Sequence, residues 1–275
     1  MSARHQGQTA TLPRQHGGGK SRGRGHGQAV GISLYLLAAG APAGRAPDVV
    51  PAPLVSATAK TAAAAGQAGV NPQSYTITLP AYSAGDLVLV HVLWGSGALG
   101  HPATPAGWTL QSSAQQSGSG VGITTSLFSR LMTGGEGTTL AVTEATSTGA
   151  TFSAAASTWQ RVNASTPVAA ANGATSGSSL TGTWTGGSVS VPGPGYLVAT
   201  AVTAQIANDL VPAAPAALSY DFLDSSLIVN NQSYRFGLAA YAPPVSGPYA
   251  ASGGFASAGI GNWGGVAVAL KGPTA

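Results

Sequence analysis

The chain has 275 residues, of which only 7% are charged against a typical quarter, and it carries 40 glycines, 18 prolines and no cysteine. The missing cysteines exclude structural disulfides, thiolate metal sites and cysteine nucleophiles, and the glycine and proline content points to short strands joined by many turns, an all-β class. A formal net charge of +4 is divided unevenly: residues 1–45 hold six basic and no acidic residues (+6), residues 46–275 five basic and seven acidic (−2). By charge the body is no nucleic-acid binder, and only the leading arm has the sign for it. So weakly charged an exterior has little self-repulsion, which suits a subunit covered by its neighbours and equally a secreted protein.

Residues 1–48 read as a basic, glycine-rich arm. Residues 1–27 are polar, without apolar periodicity, and bury too little to fold alone. Three readings stay open for them: a solvated tail, an arm ordered by docking on a neighbouring subunit, and a weak, salt-sensitive polyanion contact through Arg22 and Arg24. The apolar run 29–43, which contains Ile32, Leu34, Tyr35 and Leu36, is too short and too rich in glycine to span a bilayer. It imitates a secretory signal, with Ala41-Pro42-Ala43 as a small-x-small cleavage site, but an anchoring segment is the favoured reading. Arg14, Lys20, Arg22 and Arg24 with Ile32, Leu34, Tyr35 and Leu36 are thus the candidate assembly anchor.

The body, 49–275, begins near Val55. Tyr75-Thr76-Ile77-Thr78-Leu79 alternates with period two and predicts a half-buried strand, and 86–94 predicts a buried one entered from a tight turn. Further strands are expected over 121–131 with Phe128 inward, over 138–143, and over 151–162 with Trp159 on the closing strand. A joint of small and polar residues spans 163–177. Strands are then expected at 178–191, 195–202, 218–223, 226–229, 234–241 and 264–270.

These strands fall into two similar halves, about 55–162 and 178–272. Ala84-Gly85-Asp86-Leu87-Val88 returns 110 residues later as Pro194-Gly195-Tyr196-Leu197-Val198. The same offset lays Pro105-Ala106-Gly107-Trp108 on Pro215-Ala216-Ala217-Leu218, and Trp159 on Ala269. Within two residues it brings Leu127-Phe128 near Arg235-Phe236. Neither half offers many large apolar residues, so one composite, two-sheet antiparallel β-sandwich with a single shared interior is expected.

Chemistry is sparse. The body, 49–275, has no Gly-x-Ser-x-Gly elbow, and Asp86 and His91, five apart on one strand, point to opposite faces, so His91 is expected to be a packed or rim histidine. His101 stands in a loop, and His5, His16 and His26 lie in the arm, where a zinc site would lack support. Lys20-Ser21 ends a false phosphate loop that begins on Arg14 and has no following helix. The acids Asp48, Asp86, Glu136, Glu144, Asp209, Asp221 and Asp224 sit mostly at strand starts and loops, where capping is the ordinary role, although calcium at Asp221 and Asp224 stays open. No catalytic residue, metal or cofactor is expected. Trp184, among small polar neighbours, is the tryptophan expected to be exposed, as a surface for a sugar ring.

The runs Ala84-Gly85-Asp86-Leu87-Val88, Pro105-Ala106-Gly107-Trp108-Thr109-Leu110, Leu127-Phe128-Ser129-Arg130-Leu131, Ser157-Thr158-Trp159-Gln160-Arg161-Val162 and Val266-Ala267-Val268-Ala269-Leu270-Lys271 together resemble β-sandwich, jelly-roll-like structural proteins of tailed phages and prophages. The resemblance covers roughly 50–272 and leaves the arm out. It implies a non-enzymatic virion component, a head decoration or a tail or fibre protein, with capsid or tail subunits as partners and a homo-oligomeric state. The rival expectation is a secreted or surface-bound carbohydrate-binding module or adhesin that meets a host glycan through Trp184.

Overall fold

Period-two alternation sets the local structure from the first strand pair onward. Tyr75 and Ile77 are buried while Ser74, Thr76 and Thr78 are exposed, as expected of a strand with one wet face. In the computed structural model of the chain the described residues are 53–65, 74–96, 102–116, 122–143, 151–176, 182–205, 209–224, 234–256 and 262–273. The anchor candidates Arg14, Lys20, Arg22, Arg24, Ile32, Leu34, Tyr35 and Leu36 lie outside them, as does the strand expected at 226–229.

The first half contains β1 (Leu54–Ala65), β2 (Ser74–Thr78), β3 (Leu87–Ser96), β4 (Thr109–Gln116), β5 (Gly122–Leu131), β6 (Thr139–Thr143) and β7 (Thr151–Gln160). The second contains β8 (Val168–Thr175), β9 (Thr183–Thr185), β10 (Val189–Val191), β11 (Tyr196–Gln205), β12 (Leu210–Pro212), β13 (Ala217–Asp224), β14 (Tyr234–Tyr241), β15 (Gly247–Tyr249), β16 (Ser252–Phe255) and β17 (Asn262–Lys271). Among the described residues no helix is long and apolar enough to cross a membrane. All pairings are antiparallel.

Each half builds its own five-stranded wall, in the orders β1-β7-β3-β5-β4 and β8-β17-β11-β14-β13. Substituting β8 for β1, β17 for β7, β11 for β3, β14 for β5 and β13 for β4 turns one order into the other. Outside the first wall lies the pair β2-β6; outside the second lie β10-β15 and β9-β16-β12. The expected strand 178–191 is therefore two short strands, β9 and β10, parted at Gly186-Gly187-Ser188. A Cβ on Gly187 would stand 2.3 Å from the Asn172 carbonyl carbon, so no side chain fits where the outer layer presses on β8.

Correct alternation along β3 and β11 fills three interiors rather than the single one expected. Leu87, Leu89, Leu127 and Trp159 of the first wall meet Leu197, Leu238, Val266, Val268 and Leu270 of the second in the shared layer. The opposite face of β3, Val88, Val90, Val92 and Trp94, packs with Tyr75, Ile77, Phe128 and Phe152 beneath β2-β6. Trp184, Val202, Leu210, Phe255 and Trp263 fill a third layer outside the second wall, with Val189, Val191 and Val198 beside them. Phe128 is thus inward, but toward the outer layer. A fully buried aliphatic or aromatic side chain contributes roughly 1.5–3 kcal/mol and a surface ion pair about 0–1, so these layers decide the fold.

The walls face each other with β4 against β8, β5 against β17 and β1 against β13. Under the strand equivalence, β1 on β13 becomes β8 on β4, whereas β5 on β17 has no counterpart of like extent between β14 and β7, so the walls repeat in strand order but do not face each other symmetrically. On the β4 side the walls approach at backbone distance. A Cβ on Gly173 would come within 2.7 Å of the Ser113 carbonyl oxygen, and the Thr125 hydroxyl reaches the Gly264 carbonyl oxygen at 3.3 Å.

Gly173→Val should therefore force β8 off β4 and lower unfolding stability by about 1–3 kcal/mol. Gly135→Ala, where a Cβ meets nothing within 4 Å, should stay within about 0.5 kcal/mol of the parent in the same urea titration.

Candidate binding cleft

The turns that enter β3 and β11 gather at one rim of the walls. Gly85 (φ 90°) and Gly195 (φ 86°) occupy equivalent places there, in a left-handed conformation that favours glycine. Asp86 accepts the Ser83 amide at 2.8 Å through Oδ2, and Gly85 donates to the Met132 carbonyl at 2.8 Å. The joint between the halves is tied to the same rim. Asn163 Oδ1 accepts the Ser165 and Thr166 amides at 3.0 and 2.8 Å, the Asn163 amide donates to the Lys271 carbonyl, and the Lys271 amide to the Pro167 carbonyl.

Between this joint and the ends of β4 and β5 a cleft of about 530 Å³ opens. Its polar residues are Thr109, Gln111, Ser129, Arg130, Ser165 and Thr166, and Leu87, Leu131, Pro167 and Val168 line it with apolar surface. Gln111 occupies a break in the β4–β5 register and donates through Nε2 to the Ser129 hydroxyl at 2.7 Å. Such bulges re-aim side chains at sites. Arg130 lies 3.3 Å from Glu136 and fills the space over Gly107, where a Cβ would meet its Nη1 at 2.9 Å. Glu136 is held by the Thr133 amide and hydroxyl, both at 2.7 Å, and by the Gly134 amide at 2.9 Å; these bonds, that of the Thr133 amide first, bring its carboxyl down to about 2.

His91 is packed in the shared layer. Its ring stacks on Phe236 with centroids 3.8 Å apart, and Nε2 lies 3.1 Å from the Thr203 hydroxyl. Burial drives its pKa down to about 3, so it is neutral in the folded chain. Asp209 pairs with Arg235, and Asp221 and Asp224 belong to β13. Among the described residues no three of His, Asp and Glu converge as a metal site would need.

Trp184 overturns its expectation. It is 1% exposed, wedged into the third interior, and its indole Nε1 donates to the Gly254 carbonyl at 2.9 Å. Its small neighbours, which suggested exposure, are small because layers of backbone close over the ring: a Cβ on Gly253 would stand 2.5 Å from Trp184 Cζ2. The groove of about 550 Å³ that it lines, with Val211, Pro212 and Trp263, meets it from beside β9, β12 and β16. Reading the sequence for chemistry singled out none of Thr109, Gln111, Ser165 or Thr166. The signal was the break after Leu110, invisible without the paired strand.

No protein family, no curated protein and no solved structure matches this chain.

Trp184→Ala should act as a core truncation and cost about 3–5 kcal/mol in a denaturant titration. For His91 the sign follows from its lowered folded pKa: below about 6.5 the unfolded chain takes up a proton that the folded chain refuses until about 3. This group therefore leaves stability unchanged above about 6.5 and lowers it as pH falls between those values, by at most about 1.4 kcal/mol per unit. His91→Gln should be less stable than the parent at neutral pH, and urea midpoints should show the gap narrowing steadily toward pH about 4.

Proposed function

We propose that the chain is a non-enzymatic structural protein of a tailed-phage particle, an outward-facing capsid decoration or a tail or fibre component anchored by its leading arm. The observation that carries this reading is the nested strand order, made twice. β1 pairs with β7, β2 with β6 and β3 with β5, across a large wall and a small outer layer, and the second half repeats it with β8-β17, β10-β15 and β11-β14. Nested pairing of this kind supports reading each half as jelly-roll-like, an architecture that recurs in viral capsid and lectin domains. The departure is β4, and its equivalent β13, which join the wall beside β5 and β14 instead of completing the outer layer.

Fold alone assigns no role. The arm adds the assembly argument: six basic residues without an acid precede a body of net −2, and glycine allows such a segment to thread closely along another subunit. Neighbouring capsid or tail subunits, including copies of this chain, are its partners, with the arm ordered on docking. The rival, a secreted glycan binder stacking sugars on Trp184, loses its platform to burial of that ring.

Deleting residues 1–45 should leave a soluble chain with the far-ultraviolet dichroism of a β protein that no longer enters particles. Full incorporation of the truncated chain, measured by quantitative mass spectrometry of purified particles, would overturn the reading.

A further inference from the structure

The equivalence of strand order and register between the halves supplies an internal control for the strand residues of the rim cleft. The register places Thr109 opposite Ser129, and Ala217 opposite Ala240. It likewise places Arg130 opposite Val88, and Tyr241 opposite Val198. Both β4 and β13 break register at the same step, after Leu110 and after Leu218, so Gln111 corresponds to Ser219 and Gly107 to Pro215. The counterpart of Pro167-Val168 is Leu54-Val55, since Val55 pairs with Trp159 and Val168 with Leu270, and Trp159 and Leu270 hold equivalent places opposite Leu87 and Leu197.

One scaffold therefore carries two different linings. In the second half the positions of Thr109, Ser129 and Arg130 hold Ala217, Ala240 and Tyr241, and the strand order of the wall is the same. The polar set is thus not demanded by the strands that bear it. Arg130 is moreover fitted in place, over a glycine whose counterpart is a proline, and held by Glu136. Gln111 is fixed on Ser129 and Thr166 on Asn163, so the polar groups stand pre-oriented around the apolar surface of Leu131, Pro167 and Val168.

We propose that this cleft is a binding site for a neutral saccharide unit. Hydroxyl and amide groups that both donate and accept, on a small apolar floor, match a sugar ring, which presents hydroxyls at its edge and C–H groups on its face. The one cation is balanced by Glu136, so the lining has no excess charge with which to select a polyanion. A cleft of about 530 Å³ is large enough for a ligand of this kind. The proposal stands on the cleft alone and does not depend on the particle reading above.

The full chain is labelled with nitrogen-15 and titrated separately with glucose, galactose, N-acetylglucosamine and, as the peptide arm, Gly-Gln-Ser-Gly. At least one sugar should shift amides of 107–111, 129–131 and 164–168 saturably, with a millimolar dissociation constant as befits a single ring. The variant Thr109→Ala, Gln111→Ser carries the residues that the second half itself uses, so it should keep the parent spectrum elsewhere and weaken that binding about tenfold or more. Absence of saturable shifts with all three sugars, shifts that survive the double variant, or binding of the peptide alone would each overturn the site. Particle incorporation of the same double variant, expected to be unchanged, separates failure of this site from failure of the arm.

Discussion

The distance between backbones of adjacent layers is the constraint on which the rest of the structure depends. Sheets packed through ordinary side chains lie about 10 Å apart. Here the Gly173 α-carbon sits so close to the Ser113 carbonyl, and Gly187 to Asn172, that a methyl group would collide with main chain. Four layers can then be stacked in a body of modest size, with Ala, Ser and Thr filling the rows between the larger side chains. Such rows also explain buried but uncharged polarity: Thr125, Ser153 and Ser157 are small enough to lie inside, and Thr125 and Ser157 there meet a carbonyl and the Trp159 indole.

On that spacing the doubled wall follows. A five-stranded wall with one face under its own outer layer still presents an apolar second face, Leu87, Leu89 and Leu127 in one half and Leu197, Val266 and Leu270 in the other. A second wall of the same kind covers it with an apolar face of its own. Once the scaffold is doubled, each half is released from keeping identical residues at the rim, and they differ there: Thr109, Ser129 and Arg130 against Ala217, Ala240 and Tyr241.

The all-β class, the antiparallel sheets and most large strands were legible, because alternation at 74–78 and apolar runs at 87–94 and 196–202 leave little other choice. The strand repeat was legible too, but its fine register was not. The 110-residue offset holds for β3 and β11, whereas pairing sets Leu110 on Leu218, Leu127 on Leu238 and Trp159 on Leu270, because loops of different length intervene. β8 was hidden in what read as a joint: Val168–Thr175 has few large side chains, for the reason that it lies against β4 and the outer layer. β4, polar along its length, was hidden by its place at the wall edge. The cleft was hidden twice over, since its residues come from β4, β5 and the joint, and since its Gln111 is aimed by a bulge. Trp184 misled because small neighbours mark either open solvent or tight layers, and a sequence does not say which.

The tie between Asn163, Pro167 and Lys271 has a mechanical side. β17 is flanked by β11 and β8, so tension applied beyond Lys271 loads two hydrogen-bonded ladders, while tension applied ahead of Leu54 acts on β1, an edge strand whose one ladder is with β7. Ladders sheared in parallel break together and edge strands peel bond by bond. The two ends of the described body therefore resist load unequally, β1 less than β17.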